Sequence, residues 1–257
     1  MNAGRAEAAF WAAFLRNRNV DAGTAGDGAV ALAGGYALCV AGTLIERAVG
    51  AGSTRPLRED DCEVAESFYA VRRLPARFEL DEDVLVRDEP LLHRRGYADE
   101  DLVVAVLSAP VGPRPPAAPG RIHVRQTTDR RAWAELVTRA ADAPAAERDV
   151  LLRTSHVYAS AAHGLVVASI DGEDVGAAAL GMSGETALLY AGAVLPAFRG
   201  GGVYGELVTA RMAIAHALGT AVAVMKAAPD GPAERSARRR GFERTGLRRR
   251  VVAAKAR

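Results

Sequence analysis

The chain has 257 residues, and its 33 basic and 31 acidic side chains leave a net charge of only +2. This balance excludes a protein whose whole surface binds nucleic acid, and 49% hydrophobic residues exclude a disordered chain. Two cysteines cannot build a disulfide framework, which fits a reducing compartment. We find no apolar run of membrane-spanning length and no signal peptide. We therefore expect a soluble cytoplasmic protein without a membrane or nucleic-acid partner.

Residues 1–109 predict a domain of their own. The apolar side chains of residues 7–15 fall on one face of a helix. Residues 91–97 form a helix end followed by a glycine and an aromatic residue, a step that returns at Gly241-Phe242. The other predicted elements are strands over 36–40 and 44–49, a helix over 60–71, and strands over 77–80 and 102–107.

A proline-rich segment divides the chain. Residues 108–120 contain five of the twelve prolines, and such a segment cannot continue a helix or a central strand. We therefore predict a first domain over 1–109, a linker over 110–120 and a second domain over 121–257.

The second domain predicts a meander of strands followed by a glycine loop. Turn residues separate the apolar runs, and Gly219 stands at a helix C-cap position. The predicted elements are strands over 165–170, 175–182 and 186–195, a helix over 203–218, a strand over 221–225, a short helix ending at 240 and a strand pair over 243–254.

Three consecutive glycines, Gly200 to Gly202, lie where a strand becomes a helix. Bare backbone N–H groups and the positive end of a helix together favour phosphate binding. A P-loop is excluded, because Val203-Tyr204 stands where Lys-Ser or Lys-Thr is needed. A Rossmann fingerprint is disfavoured, because the preceding strands form hairpins and the nearest suitable acid, Asp230, comes late. A glycine turn without a ligand remains the alternative.

The loop resembles the acyl-CoA-binding core of the GNAT N-acetyltransferases, whose motif is Q/R-x-x-G-x-G/A. Arg199-x-x-Gly202 follows Val194-x-Pro196, and Gly241-Phe242 comes later, so that the resemblance extends over residues 122–254. Tyr204 departs from the motif, since it replaces a small residue. We expect its side chain to point outward or to pack on the cofactor.

The resemblance implies an α/β (α+β-like) fold with two GNAT-like domains, each a mixed, mostly antiparallel twisted sheet flanked by helices. The first domain would be a degenerate copy without a glycine phosphate loop. The implied activity is direct transfer of an acetyl group from acetyl-CoA to an amine, mostly by alignment of the two reactants. The residues expected to hold acetyl-CoA are Val194, Arg199, Gly200, Gly201, Gly202, Val203 and Tyr204.

The catalytic candidates are Tyr190 and Ser236. Ala237 stands where the family has a tyrosine that protonates the leaving thiolate, and Ser236 is its neighbour. Tyr190 lies on the strand before the loop and would border the acceptor cleft; its alternative role is that of a half-buried strand residue. His156 is a candidate for the acceptor pocket or for packing. No histidine has the spacing of a metal ligand, so we expect no metal.

The missing tyrosine at Ala237 leaves a second function open, a non-catalytic module that binds a CoA thioester or another protein. The acceptor for the enzyme would be a small-molecule or peptide amine, and a homodimer remains open. Two arginine runs, 238–240 and 248–250, predict a solvated surface. Alternatively, Arg238 or Arg239 approaches the ribose phosphate of the cofactor.

Overall fold

The computed structural model describes residues 2–17, 26–113 and 120–254. They form two compact units, Met1–Val106 with Gly246–Arg257, and Leu107–Thr245. Residues 114–119 of the predicted linker lie outside the described residues. Within the described ranges, no helix combines the length and the apolarity needed to cross a bilayer.

The first unit orders its strands β1-β2-β3-β4-β11-β5. The first three strands are antiparallel, β4 is parallel to β3, and β11 is antiparallel to β4. The elements of this unit are α1 (Ala3–Arg16), β1 (Gly28–Leu32), β2 (Gly35–Cys39), β3 (Glu46–Val49), α2 (Glu59–Ala70), β4 (Arg77–Asp81), α3 (Glu82–Arg94), most of β5 (Tyr97–Pro110) and most of β11 (Glu243–Ala253).

The second unit orders its strands β10-β9-β8-β7-β6. The strands β6 to β9 are antiparallel to their neighbours, and β10 is parallel to β9. The elements of this unit are β6 (Ile122–Gln126), α4 (Arg130–Ala140), α5 (Arg148–Ala161), β7 (Gly164–Ile170), β8 (Glu173–Ser183), β9 (Thr186–Val194), α6 (Val203–Ala217), β10 (Val222–Ala227) and α7 (Pro232–Arg238).

Both faces of the second sheet are buried. On β7, Leu165 and Val167 pack with α4 and α5, whereas Val166 and Ala168 pack with α6. This alternation follows from the two-residue period of a strand. Because α6 covers one face and α4 and α5 the other, the loop from β9 to α6 lies where the chain passes from the sheet to a covering helix.

The two units repeat one order of elements. Three antiparallel strands, a loop, a helix, a parallel strand, a helix and a final strand occur as β1-β2-β3-α2-β4-α3-β5 and again as β7-β8-β9-α6-β10-α7-β11. The predicted fold class, a mixed and mostly antiparallel sheet flanked by helices, is confirmed.

The end of the chain differs from the prediction. Residues 243–254 were predicted as a strand pair, but β11 runs without a turn, since Gly246 does not adopt a positive φ. Arg248 to Val252 of this strand pair with Asp81 to Arg77 of β4. Residues 246–257 therefore group with the first unit, although the predicted second domain, 121–257, included them.

Candidate functional site

A tight loop joins β9 to α6. It contains a short 3-10 helix at Pro196–Phe198 and ends at Gly202, the N-cap of α6. Gly200 and Gly202 have φ angles of 82° and 90°, in the left-handed region where a side chain is strained. The backbone itself therefore requires two of the three glycines.

The start of α6 presents backbone donors. The N-cap glycine has no side chain for capping, and the first helical bonds run from the N–H groups of Gly205 and Glu206 to the Gly202 carbonyl. The N–H groups of Val203 and Tyr204 therefore lie outside the helical ladder, at the positive end of the helix dipole. Anions bind well at such a helix start.

Gly201 is the most informative glycine of the loop. Its φ angle is not positive, and a Cβ built on it would come no closer than 3.6 Å to another residue, at the Phe198 carbonyl oxygen. A Cβ on Gly202 would meet only Ile122 Cδ1, at 3.7 Å, and one on Gly200 would meet nothing within 4 Å. Nothing in the chain itself requires a glycine at 201. Close approach of a ligand to the backbone does, and a phosphate held by N–H groups fits this loop.

The side chain of Arg199 holds the loop in place. Its Nε donates to the Val194 carbonyl at 3.2 Å, and its Nη2 donates to the carbonyl of Ala140 at the end of α4, at 3.0 Å. Asp142 lies 3.8 Å from Nη1. The guanidinium therefore fixes the end of β9 against α4, and the contribution of Arg199 to a ligand site is that of shaping the loop.

Tyr204 packs against the sheet. A Cβ on Gly192 of β9 would lie 3.0 Å from Tyr204 Cε2 and 3.4 Å from Arg211 Nη2, so both side chains cover this glycine. The expected outward orientation is wrong, because the ring joins the apolar cluster between α6 and the sheet. A small residue in this position would leave that space open.

The strands β9 and β10 stop pairing before they end. Their register runs from Thr186 with Val222 to Leu189 with Met225, although β9 continues to Val194. The edge of residues 190–194 is therefore available for backbone hydrogen bonds to a ligand. On the other side of β9, the register with β8 shifts between Ala177 and Ala179, and Ala191 adopts a φ of 49°. A β-bulge thus distorts β9 just before the loop.

Tyr190 lies on the face that α4 and α5 cover. Its hydroxyl donates to the Tyr158 carbonyl at 3.0 Å, and the two rings stack edge to face at 5.4 Å. Burial raises the pKa of Tyr190 well above its usual value, and the nearby Tyr158 adds to the effect. A phenol in this state stays protonated at neutral pH, so Tyr190 cannot serve as a general base.

Ser236 lies in a different cluster. It is buried in α7, and Arg240 Nη1 lies 3.5 Å from its Oγ and 3.4 Å from its carbonyl oxygen. The Arg240 guanidinium rests on Gly205 of α6 and pairs with Glu206 at 3.2 Å. Ala237 is fully buried. Ser236 therefore connects α7 with the first turn of α6, and Tyr190 belongs to the opposite face of the sheet.

The second arginine run is not a solvated surface. Arg248 is only 1% exposed and pairs with Glu7 at 2.8 Å and Asp81 at 2.6 Å. Burial alone would lower the pKa of Arg248, but Glu7, Asp81 and Glu79 raise it above its usual value. Arg250 lies 3.6 Å from Glu79. These residues neutralise one another inside the first unit.

The first unit also has a glycine loop, which the sequence analysis missed. Gly50-Ala51-Gly52 follows β3 and precedes α2, and Gly50 and Gly52 have φ angles of 71° and 78°. Here a Cβ on Gly52 would lie 2.5 Å from Val84 Cγ1. Asp88 accepts the Leu57 N–H at 3.1 Å. Side chains of α3 therefore fill the place that stays open in the second unit.

The sequence analysis also missed Arg211. The α6 residues Leu207, Val208, Met212 and Ala215 are buried on one face, and Arg211 lies on that face with 1% exposure. A charged residue four positions after a buried leucine was the signal that could have found it.

Comparison with solved structures places this architecture. A GCN5-related N-acetyltransferase from Kribbella flavida aligns with a TM-score of 0.69 and 17% identity, over 100% of this chain and 97% of that one. A tandem GNAT protein from the clavulanic acid biosynthesis pathway aligns with a TM-score of 0.59 and 14% identity, over 85% and 77% of the two chains.

A GCN5-related N-acetyltransferase from Sphaerobacter thermophilus aligns with a TM-score of 0.54 and 18% identity, over 70% of this chain and 59% of that one. No protein-family model and no curated protein matches the sequence. At these identities the likeness concerns the fold. Together with the repeated order of elements, it shows that the chain has the fold of the GNAT N-acetyltransferases in its tandem form.

Proposed function

We propose that the protein is an N-acyltransferase that moves an acetyl group from acetyl-CoA to an amine of a small molecule or a peptide. The observation that carries the proposal is the open glycine loop at the start of α6, beside the edge of β9 that β10 leaves unpaired. The first feature suits a pyrophosphate, and the second suits the amide groups of a pantetheine arm. Both lie in the second unit.

The roles of the chain's residues follow from their positions. The N–H groups of Gly201, Gly202 and Val203 would hold the phosphates, and Arg199 would keep the loop against α4. Bound acetyl-CoA would supply an activated acyl group: the amine nitrogen bonds to the acyl carbon, the carbon–sulfur bond breaks, and the proton released by the amine ends on the thiolate. Alignment of the two reactants supplies most of the rate enhancement in such a reaction.

The second candidate function is a module that binds a CoA thioester without turning it over. Two observations favour it. Ala237 is buried in the place where the resemblance expects a tyrosine acid. Tyr190 is held as a neutral phenol by burial and by its hydrogen bond to Tyr158, so it offers no base.

Calorimetric titration with acetyl-CoA tests the binding site. Gly201→Val is the sharpest variant, since it adds a side chain to the cradle without strain in the backbone, whereas Gly202→Val would be strained at a φ of 90° whatever the ligand. We expect the affinity to fall about 100-fold, the loss of two charge-assisted hydrogen bonds. Gly246→Val is the matched control, because that glycine also lacks a positive φ and has no neighbour within 4 Å.

Two results would reject the site: no binding of acetyl-CoA by the wild-type protein, or equal affinities of the wild type and Gly201→Val. Release of free thiol from acetyl-CoA in the presence of amines then separates the two functions. Amine-dependent release supports the transferase. Tight binding without release across amino acids, polyamines, aminoglycosides and peptides supports the binding module.

A further inference from the structure

Arg211 is a buried cation without an acidic partner. Its side chain is 1% exposed, and no carboxylate in the described part of the chain forms an ion pair with it. Its Nε donates to the Leu207 carbonyl of its own helix at 3.0 Å, while Nη2 is buried without a hydrogen-bond partner. Burial lowers the pKa of Arg211, and the nearby Tyr204 hydroxyl opposes this change. An arginine nevertheless stays protonated in proteins.

The guanidinium lies directly behind the bulge of β9. Its Nη1 lies 3.3 Å from the Ala179 carbonyl oxygen and 3.4 Å from that of Tyr190, the last register pair before the shift. The unpartnered Nη2 is the atom that lies 3.4 Å from the Cβ position of Gly192. The positive charge is therefore directed at residues 190–192, where β9 has already separated from β10.

A neutral side chain does the same structural task on the other face of the sheet. Trp133 Nε1 of α4 donates to the carbonyl of Ala178, the residue that the bulge leaves out of register, at 3.2 Å. An indole N–H thus satisfies one freed carbonyl without a charge. Satisfying the bulge does not require a cation, and a buried charge without a partner is costly.

We propose that Arg211 is an electrostatic positioning residue that stabilises negative charge on the thioester oxygen and the leaving sulfur at the bulge of β9. The inference rests on the proposed function. A guanidinium that donates to the Tyr190 carbonyl also polarises that peptide group, which makes the N–H of Ala191 a stronger donor. The positive charge acts in a water-poor interior, where its effect on a developing anion is large.

The thiol of free CoA reports this charge without any turnover. An opposite charge close to a titrating group favours its ionised form. We expect the bound thiol to carry about ten times more thiolate at neutral pH than CoA in solution, the equivalent of one pKa unit. The thiolate is measured by its ultraviolet absorbance, against the complex with desulfo-CoA as the blank.

Three variants separate charge from geometry. Arg211→Lys keeps the charge and should keep the raised thiolate fraction, whereas Arg211→Gln keeps a donor and should return it about tenfold, to the value of free CoA. Trp133→Phe removes the neutral donor from the other face of the same bulge and should leave the thiolate fraction unchanged. In the acetyl-transfer assay, Arg211→Gln should lower kcat with little change in the KM for acetyl-CoA.

The outcomes are distinguishable. A wild-type protein that does not bind CoA overturns the proposed function and this inference together. A wild-type protein that binds CoA with the thiolate fraction of free CoA overturns the role of Arg211 alone, and this result needs no variant. A raised thiolate fraction in Arg211→Gln, or an equal loss in Arg211→Lys and Trp133→Phe, also overturns it.

Discussion

The two units place a glycine loop at the same point of the same order of elements, but only one of the loops is open. In the first unit, Gly52 is enclosed by Val84, Arg87 and Asp88 of α3, and Arg87 Nη2 donates to the Gly52 carbonyl at 2.9 Å. In the second unit, a Cβ on Gly201 would come no closer than 3.6 Å to a neighbour. A glycine motif by itself therefore does not make a phosphate site.

The starts of the two helices differ in charge as well. Three acids occupy the first turn of α2, and Asp61 accepts the Arg58 N–H at 2.9 Å. The first turn of α6 has Glu206, which pairs with Arg240 at 3.2 Å. In the first unit, the carboxylates of the chain itself satisfy the helix start. The second unit leaves that role to a ligand.

The two buried arginines show the same contrast. Arg248 in the first unit is surrounded by Glu7, Glu79 and Asp81. Arg211 in the second unit is equally buried, but its donors reach only carbonyl oxygens. Charges that are matched inside the protein stabilise its structure. A charge left unmatched is available for chemistry.

The largest effect that we expect is the loss of the matched arginine. Arg248→Met leaves three buried acids without their cation and should lower the free energy of unfolding of the first unit by about 4 kcal/mol. The chain has two tryptophans, Trp11 in the first unit and Trp133 in the second. In a Trp133→Phe background, urea unfolding followed by the fluorescence of Trp11 reports the first unit.

Arg249→Met is the matched control for this prediction. Arg249 is the next residue on β11 and forms an exposed pair with Asp99 at 2.7 Å. Its loss should change the free energy of unfolding by less than about 0.5 kcal/mol. Equal effects of the two substitutions would show that the network around Arg248 is not a stabilising one.

A smaller effect separates the filled loop from the open one. Gly52→Ala adds a methyl group 2.5 Å from Val84 Cγ1 at a φ of 78°, and should cost about 3 kcal/mol through overpacking and backbone strain. Gly201→Ala should change the free energy of unfolding by less than about 0.5 kcal/mol, since neither penalty applies. Urea unfolding of both variants gives the comparison, and similar costs would contradict the assignment of 201 as the open position.

The smallest effect concerns acid. Burial would raise the pKa of Asp61, but its hydrogen bonds with Arg55 and with the Arg58 N–H hold it below the usual value of 3.8. A carboxyl with a lowered pKa stabilises the fold above its unfolded pKa, and that stability disappears as the pH falls below 3.8 through the folded value. Asp61→Asn should therefore cost about 1 kcal/mol at neutral pH and should make the first unit less sensitive to acid.

The same fluorescence assay, repeated from pH 7 to pH 3, measures this change. Asp60→Asn is the control, because its neighbouring side chain is exposed. A Trp11 unfolding curve whose pH dependence is the same in wild type and Asp61→Asn would remove Asp61 from the acid response.

The parts of the site that the sequence predicted are local. The glycines at 200–202 and the helix over 203–218 are adjacent in the chain, so turn chemistry and apolar period were enough to find them. Helices α4 and α5 were missed, although the buried residues Trp133, Leu136 and Val137 of α4 have helical spacing. They lie in a segment rich in arginine and alanine, whose apolar period is weaker than that of the strands.

The sequence by itself determined the open loop, the order of strands and helices in both halves, and the resemblance that names the fold, because these depend on neighbouring residues. Only the tertiary structure decided which loop is filled, since Arg87 and Asp88 reach Gly52 and Leu57 from another helix. It also decided that residues 246–257 join the first unit and that Arg211 meets the bulge of β9. Contacts between distant segments depend on register and packing, and no local pattern encodes them.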